Sequence, residues 1–105
     1  METKEKIELY HKAISTWGSL AQERMFYEEC GELMSALAKL DRGRVSETDV
    51  LTELADVSIM VEQVAIMIGD LDLSLFEKEK ERKLNRLKER LEKYKERLEK
   101  YGNHS

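Results

Sequence analysis

No proline occurs anywhere in the 105-residue chain, and glycine occurs only five times. Proline and glycine are the strongest breakers of regular structure, so this chain is predisposed to long, uninterrupted helices. The few glycines and cap-forming residues then fix the segmentation. A first helix is predicted from about Thr3 to Thr16, with Ile7, Tyr10 and Ile14 on one stripe, and Gly18 breaks it. Ser19 followed by Gln22 reads as a capping box opening a second helix that runs to about Leu40, where Asp41-Arg42-Gly43 ends it. Phe26, Cys30, Leu33, Leu37 and Leu40 form its apolar seam. Ser46 and Asp49 signal the next start, and Gly69 the stop, of a third helix from about Glu47 to Ile68.

The third helix is apolar almost all the way round, from Val50 and Leu51 to Met67 and Ile68. Such a helix must be covered on more than one side, and a chain this small has little to cover it with, so self-association is expected. Ser74 and Glu77 then open a long fourth helix to about Tyr101. Within it KERLEKY occurs twice in succession, at 88–94 and 95–101. Leu84, Leu87, Leu91, Tyr94, Leu98 and Tyr101 alternate at spacings of three and four, the pattern of a short coiled-coil seam. The expected fold class is all-α: one domain over 1–105, a bundle of four helices of which the C-terminal one is long, completed by oligomerisation.

Charge is divided unevenly. Residues 77–101 carry eleven Lys/Arg against seven Asp/Glu, whereas residues 1–76 carry seven against fifteen. An acidic body repels phosphate backbones, and Glu dilutes the basic tail, so nucleic acid is not an expected partner. One cysteine excludes an internal disulfide and any multi-cysteine zinc site, and Cys30 reads as a small core residue. No apolar run reaches 18 residues, so no membrane span is expected, and METKEKIELY has no signal-peptide core. The expected location is the cytoplasm. Asn103-His104-Ser105 matches a glycosylation sequon, which has no meaning in that compartment.

The most informative residues are carboxylates inside apolar helices. Glu29 and Glu32 share one face of the second helix, and Glu53 and Asp56 share one face of the third. Two antiparallel helices joined by a short loop pack side by side, so these four can converge. Unpaired, they would repel one another and lose hydration. A hard divalent cation, magnesium or manganese, offsets both, and open coordination positions suit phosphate-ester or anhydride chemistry. Singly, each such pair is common on a solvated helix; it is the setting of Glu53 and Asp56 in the most hydrophobic segment that points to a site.

The order E-E-x-x-E (Glu28, Glu29, Glu32) and then E-x-x-D (Glu53, Asp56) resembles the MazG-like all-α nucleoside triphosphate pyrophosphohydrolases. W-G-x-x-x-Q (Trp17, Gly18, Gln22) resembles the family's lead-in, ELADVSIMVEQ (53–63) its short phage- or prophage-type members, and KLNRLKERL (83–91) the basic helix that follows. The resemblance covers most of 12–91. It implies magnesium-dependent cleavage of a nucleoside triphosphate to monophosphate and pyrophosphate by a homodimer or homotetramer, in nucleotide-pool house-cleaning. It also implies Glu29, Glu32, Glu53 and Asp56 as metal ligands, with manganese as an alternative ion, and Glu28 as a catalytic residue orienting a ligand or activating water.

Lys83 and Arg86 are the expected phosphate-binding cations, and Arg90 a further candidate. Trp17 either stacks on a base or plugs the core at a helix junction, and Gln22 either contacts the substrate or caps its helix. Met60 and Met67 read as core filler. Two other readings compete. A di-iron bundle needs two Glu-x-x-His motifs, and only Glu8-His11 supplies one, the other histidine being His104. A non-catalytic helical adaptor, or a degenerate nucleotide-binding homologue, suits the duplicated heptad but leaves four aligned carboxylates without a purpose.

Overall fold

The computed structural model describes residues 1–102; Asn103-His104-Ser105 lies outside the described residues. Those described form four helices and no strand: α1 (Thr3–Trp17), α2 (Ser19–Asp41), α3 (Glu47–Met67) and α4 (Ser74–Tyr101). All four predicted helices form, their ends within a residue of expectation. The chain divides into two compact units, Met1–Leu73 and Ser74–Ser105. No helix among the described residues is long and apolar enough to cross a membrane.

In the first unit the breaks fall where the backbone demands them. Gly18 adopts φ 92°, ψ 150°, a region almost closed to residues with a Cβ. Its N–H still donates to Ile14 O at 2.8 Å, closing α1, and its carbonyl accepts from Gln22 N at 3.1 Å, opening α2. No side chain caps α2, so Ser19 and Gln22 do not form the expected box: Ser19 is already the first helical residue, and Gln22 faces inward. The box on α3 does form. Asp49 N–H donates to Ser46 Oγ (3.1 Å), and Ser46 N–H donates to Asp49 Oδ2 (2.9 Å).

α2 packs chiefly against α3, and α1 lies against both. α1 is pinned by Tyr10, buried, whose hydroxyl donates to Glu62 Oε1 at 2.8 Å, while Lys6 pairs with Glu62 Oε2 at 3.2 Å. Burial and the neighbouring carboxylate hold the Tyr10 phenol well above its ordinary pKa, so it stays a donor. His11 Nε2 donates to Leu71 O at 2.9 Å, returning the segment after α3 to α1. Gly69, at φ 113°, lets the chain turn there.

The core is small. Val50, Met60, Ala65 and Ile66 of α3 are buried, with Ala36 from α2 and Leu73 at the end of the unit. Not all of the apolar surface of α3 is covered: Leu51, Leu54 and Ile59 are exposed, as is Ile68 just beyond its end. The Met60 reading holds, and Met67 and Cys30 are half-buried. Trp17 is no core plug; it is 66% exposed at the α1–α2 junction.

The second unit is α4, 28 residues long with none buried. Near its start Lys80 pairs with Glu77 (3.5 Å) and Arg82 with Glu79, three residues apart in each case.

Gly18 generates a stability prediction. A Cβ there would meet no atom within 4 Å, so the cost of Gly18→Ala is backbone strain alone. Urea unfolding is expected to show a loss of about 1–3 kcal/mol, against about 1 kcal/mol for Ser46→Ala. Equal stability of Gly18→Ala and the parent chain would contradict the conformational argument.

Candidate metal centre

The hairpin of α2 and α3 sets two rows of residues against each other. Gln22 and Gln63, one on each helix, form a buried hydrogen bond from Gln22 Nε2 to Gln63 Oε1 at 2.6 Å. Glu29 lies seven residues after Gln22, and Asp56 seven before Gln63. Seven residues are close to two helical turns, about 10 Å along the axis, and return to nearly the same face. The register that joins the glutamines therefore also sets Glu29 opposite Asp56, and Glu32 opposite Glu53 one turn further on.

Three of the four predicted ligands converge. Glu29, Glu53 and Asp56 each bring a carboxylate oxygen within 4.8 Å of the others, and all three are half-buried. Among the described residues, Oε2 of Glu29 and Oε2 of Glu53 are buried without a hydrogen-bond partner. Glu32 does not join that trio and is exposed, but it is close enough to act on both glutamates. Burial, and then repulsion from Glu32, Asp56, Glu53 and Glu28, pushes the Glu29 carboxyl above its ordinary range. Glu53 is pushed the same way by burial first and then by Glu32 and Asp56. An all-oxygen donor set with two orphaned carboxylate oxygens fits a hard divalent cation.

The remaining predicted residues fall in three places. Glu28 is exposed on α2 beside Glu29. Gln22 is engaged by Gln63, and Trp17 lines two apolar clefts over that pair. One, of about 480 Å³, is shared with Leu9, Tyr10, Thr16 and Ile59; the other, of about 500 Å³, is shared with Met25, Gln22 and Gln63. Lys83 and Arg86 stand exposed on α4, in the second unit. His11 is held by the Leu71 carbonyl, and no histidine among the described residues joins the carboxylate group.

One residue escaped the sequence reading. Lys39, in the last turn of α2, lines a cleft of about 230 Å³ together with Glu32, Ser35, Asp49 and Glu53. It is a cation on the rim of the carboxylate group. Lys39 stands seven residues after Glu32, and that shared helix face was its only sequence signal.

Compared with protein-family models, curated proteins and solved structures, the chain matches none.

The raised carboxyls make stability depend on pH. A folded-state pKa above the ordinary value of 4.5 means that the folded chain holds its proton more tightly than the unfolded one. The penalty is absent below the ordinary value, grows as pH rises toward the raised one, and is complete above it. Glu29→Gln removes one such group. In metal-free buffer its urea midpoint is expected to exceed the parent's at neutral pH, and the gain to vanish near about pH 4. A variant less stable than the parent throughout would contradict the repulsion.

Proposed function

We propose that the chain is a magnesium-dependent nucleoside triphosphate pyrophosphohydrolase of the MazG-like kind, converting ribo- or deoxyribonucleoside triphosphates to monophosphate and pyrophosphate in nucleotide-pool house-cleaning. The observation that carries this reading is the meeting of Glu29, Glu53 and Asp56 across the α2–α3 interface with two buried carboxylate oxygens left unpaired. Charge of that kind inside a helical hairpin is costly unless a cation offsets it.

Glu29, Glu53 and Asp56 would hold magnesium, or manganese, with Glu32 within reach as a fourth ligand. When bound, the ion supplies charge neutralisation for a triphosphate and a water of lowered pKa. Hydrolysis breaks the bond between the α-phosphorus and its bridging oxygen, water adding to phosphorus as pyrophosphate departs. Glu28, exposed beside Glu29, is the candidate to take the proton from that water. Lys39 on the cleft rim is placed to receive phosphate oxygens; Lys83 and Arg86 are retained from the sequence for the same purpose. Trp17 shares a cleft with Gln22, which lies about two helical turns, roughly 10 Å, along the α2–α3 interface from the carboxylates. That is a separation a nucleotide bridges, its base toward the Trp17 clefts and its phosphates toward the acids.

Self-association as a homodimer or homotetramer is part of the proposal. It is supported by the exposed Leu51, Leu54 and Ile59 on α3 and Ile68 just after it, which in water represent uncovered apolar area. A non-catalytic helical adaptor, or a nucleotide-binding homologue without turnover, is the second reading. It draws on the exposed Leu/Tyr seam of α4.

Pyrophosphate release from a panel of ribo- and deoxyribonucleoside triphosphates, with and without magnesium, tests the proposal. Magnesium-dependent release with monophosphate as co-product is expected; a folded chain releasing none across the panel would move the weight to the adaptor reading. Glu53→Gln and Asp56→Asn are each expected to lower turnover at least ~100-fold, about 2.7 kcal/mol of transition-state stabilisation, with helical circular dichroism intact. Lys39→Ala and Lys83→Ala are expected to weaken triphosphate binding more than metal binding. The reverse order in either variant would remove that residue from the phosphate role.

A further inference from the structure

α4 carries a seam that the proposed chemistry does not use. Leu84, Leu91 and Leu98 fall at heptad position a, and Leu87, Tyr94 and Tyr101 at position d, each between 42% and 61% exposed. The residues flanking the seam decide what can cover it. From Lys83 onward, the g positions are Lys83, Arg90 and Arg97, and the e positions are Lys88 and Lys95. Both borders are thus basic, while Glu89, Glu92, Glu96 and Glu99 fall at b and f, away from the seam.

This pattern disfavours a second α4 as the occupant. In a parallel pair, g residues face e residues of the next heptad, which sets Lys83 against Lys88 and Arg90 against Lys95. An antiparallel pair sets g against g and e against e, again like against like. The lysines at e each have a glutamate four residues on, but Arg90 and Arg97 have no carboxylate three or four residues away on α4. Their charge is uncompensated by their own helix.

Nor does α2, in this or a second copy, offer an acid-bordered stripe. Its seven-spaced exposed stripe, Leu20, Tyr27 and Met34, is bordered by Arg24, Gly31, Phe26 and Leu33 rather than by carboxylates. A stripe of two positions in seven is also narrower than the apolar face of a helix lying in a membrane surface.

We propose that the α4 seam from Leu84 to Tyr101 is a docking surface for an amphipathic helix of another protein, one with apolar a and d positions and Glu or Asp at e and g. Leu and Tyr supply the apolar contact, and the basic borders select an acidic partner and fix its register. The duplication of KERLEKY extends this surface by a heptad with the same borders.

The test uses the full chain and two fluorescently labelled synthetic helices of about three heptads each, both with Leu at a and d, one with Glu and one with Lys at e and g. The Glu-bordered peptide is expected to bind at least ~10-fold more tightly than the Lys-bordered one, and to weaken as salt rises from about 50 to about 500 mM. Lys88→Glu/Arg90→Glu/Lys95→Glu/Arg97→Glu in one chain is expected to reverse the preference. The same four residues changed to Gln, a milder change to the helix, are expected to abolish it. Equal binding of both peptides would overturn the proposal. So would self-association of the parent chain that blocks the peptide. Binding to phosphatidylserine vesicles with none to either peptide would assign the seam to a lipid surface instead.

Discussion

The antiparallel register of α2 against α3 is the constraint on which the rest depends. One alignment sets Gln22 against Gln63, Glu29 against Asp56 and Glu32 against Glu53. The first of these pairs is a short buried hydrogen bond, and it is satisfied within the protein. The acidic pairs are not, because carboxylates only accept. The same packing that shields the glutamines removes water from Oε2 of Glu29 and Oε2 of Glu53. A slide of either helix by one residue would turn all three pairs out of line together, so the interface cannot keep its glutamine pair without also keeping its acids.

That coupling gives the first unit an unusual balance. Its core is small, with seven apolar residues buried and many large ones exposed, so there is little hydrophobic stabilisation to spare for a repulsive cluster. The Tyr10–Glu62–Lys6 contact ties α1 to α3 on the same helix that carries Glu53 and Asp56, and the Ser46–Asp49 box fixes where that helix begins. Both hold the acids in place without neutralising them. An added cation would neutralise them and pull the two helices together, linking ligand binding to stability.

Much of this was legible in the sequence, and the parts that were not share a cause. Gly18, Ser46 with Asp49, and Gly69 act locally, through φ and capping geometry, and they set the helix ends within a residue. Glu29, Glu53 and Asp56 were legible because carboxylates in an apolar helix are out of place. Of the two roles open to Gln22, the cap fails: its spacing from Ser19 suits one, but its partner is 41 residues away. Trp17 was open between plug and platform for the same reason: its exposure depends on how α1 meets α2. Glu32 sits outside the tight trio and is exposed, a difference that the face periodicity of α2 alone does not carry. Lys39 went unnoticed because a lysine in a last helical turn already has a reason to be there. Local rules operate along the chain; register across the interface decided the rest.

If this register builds a divalent-cation site, manganese reports on it directly. Free manganese gives an electron paramagnetic resonance signal that is lost on binding. Titrating the full chain into manganese is expected to remove that signal saturably, with magnesium restoring it by competition and Glu53→Gln abolishing the effect. A signal that persists at about millimolar protein, or a loss that Glu53→Gln leaves unchanged, would contradict the account.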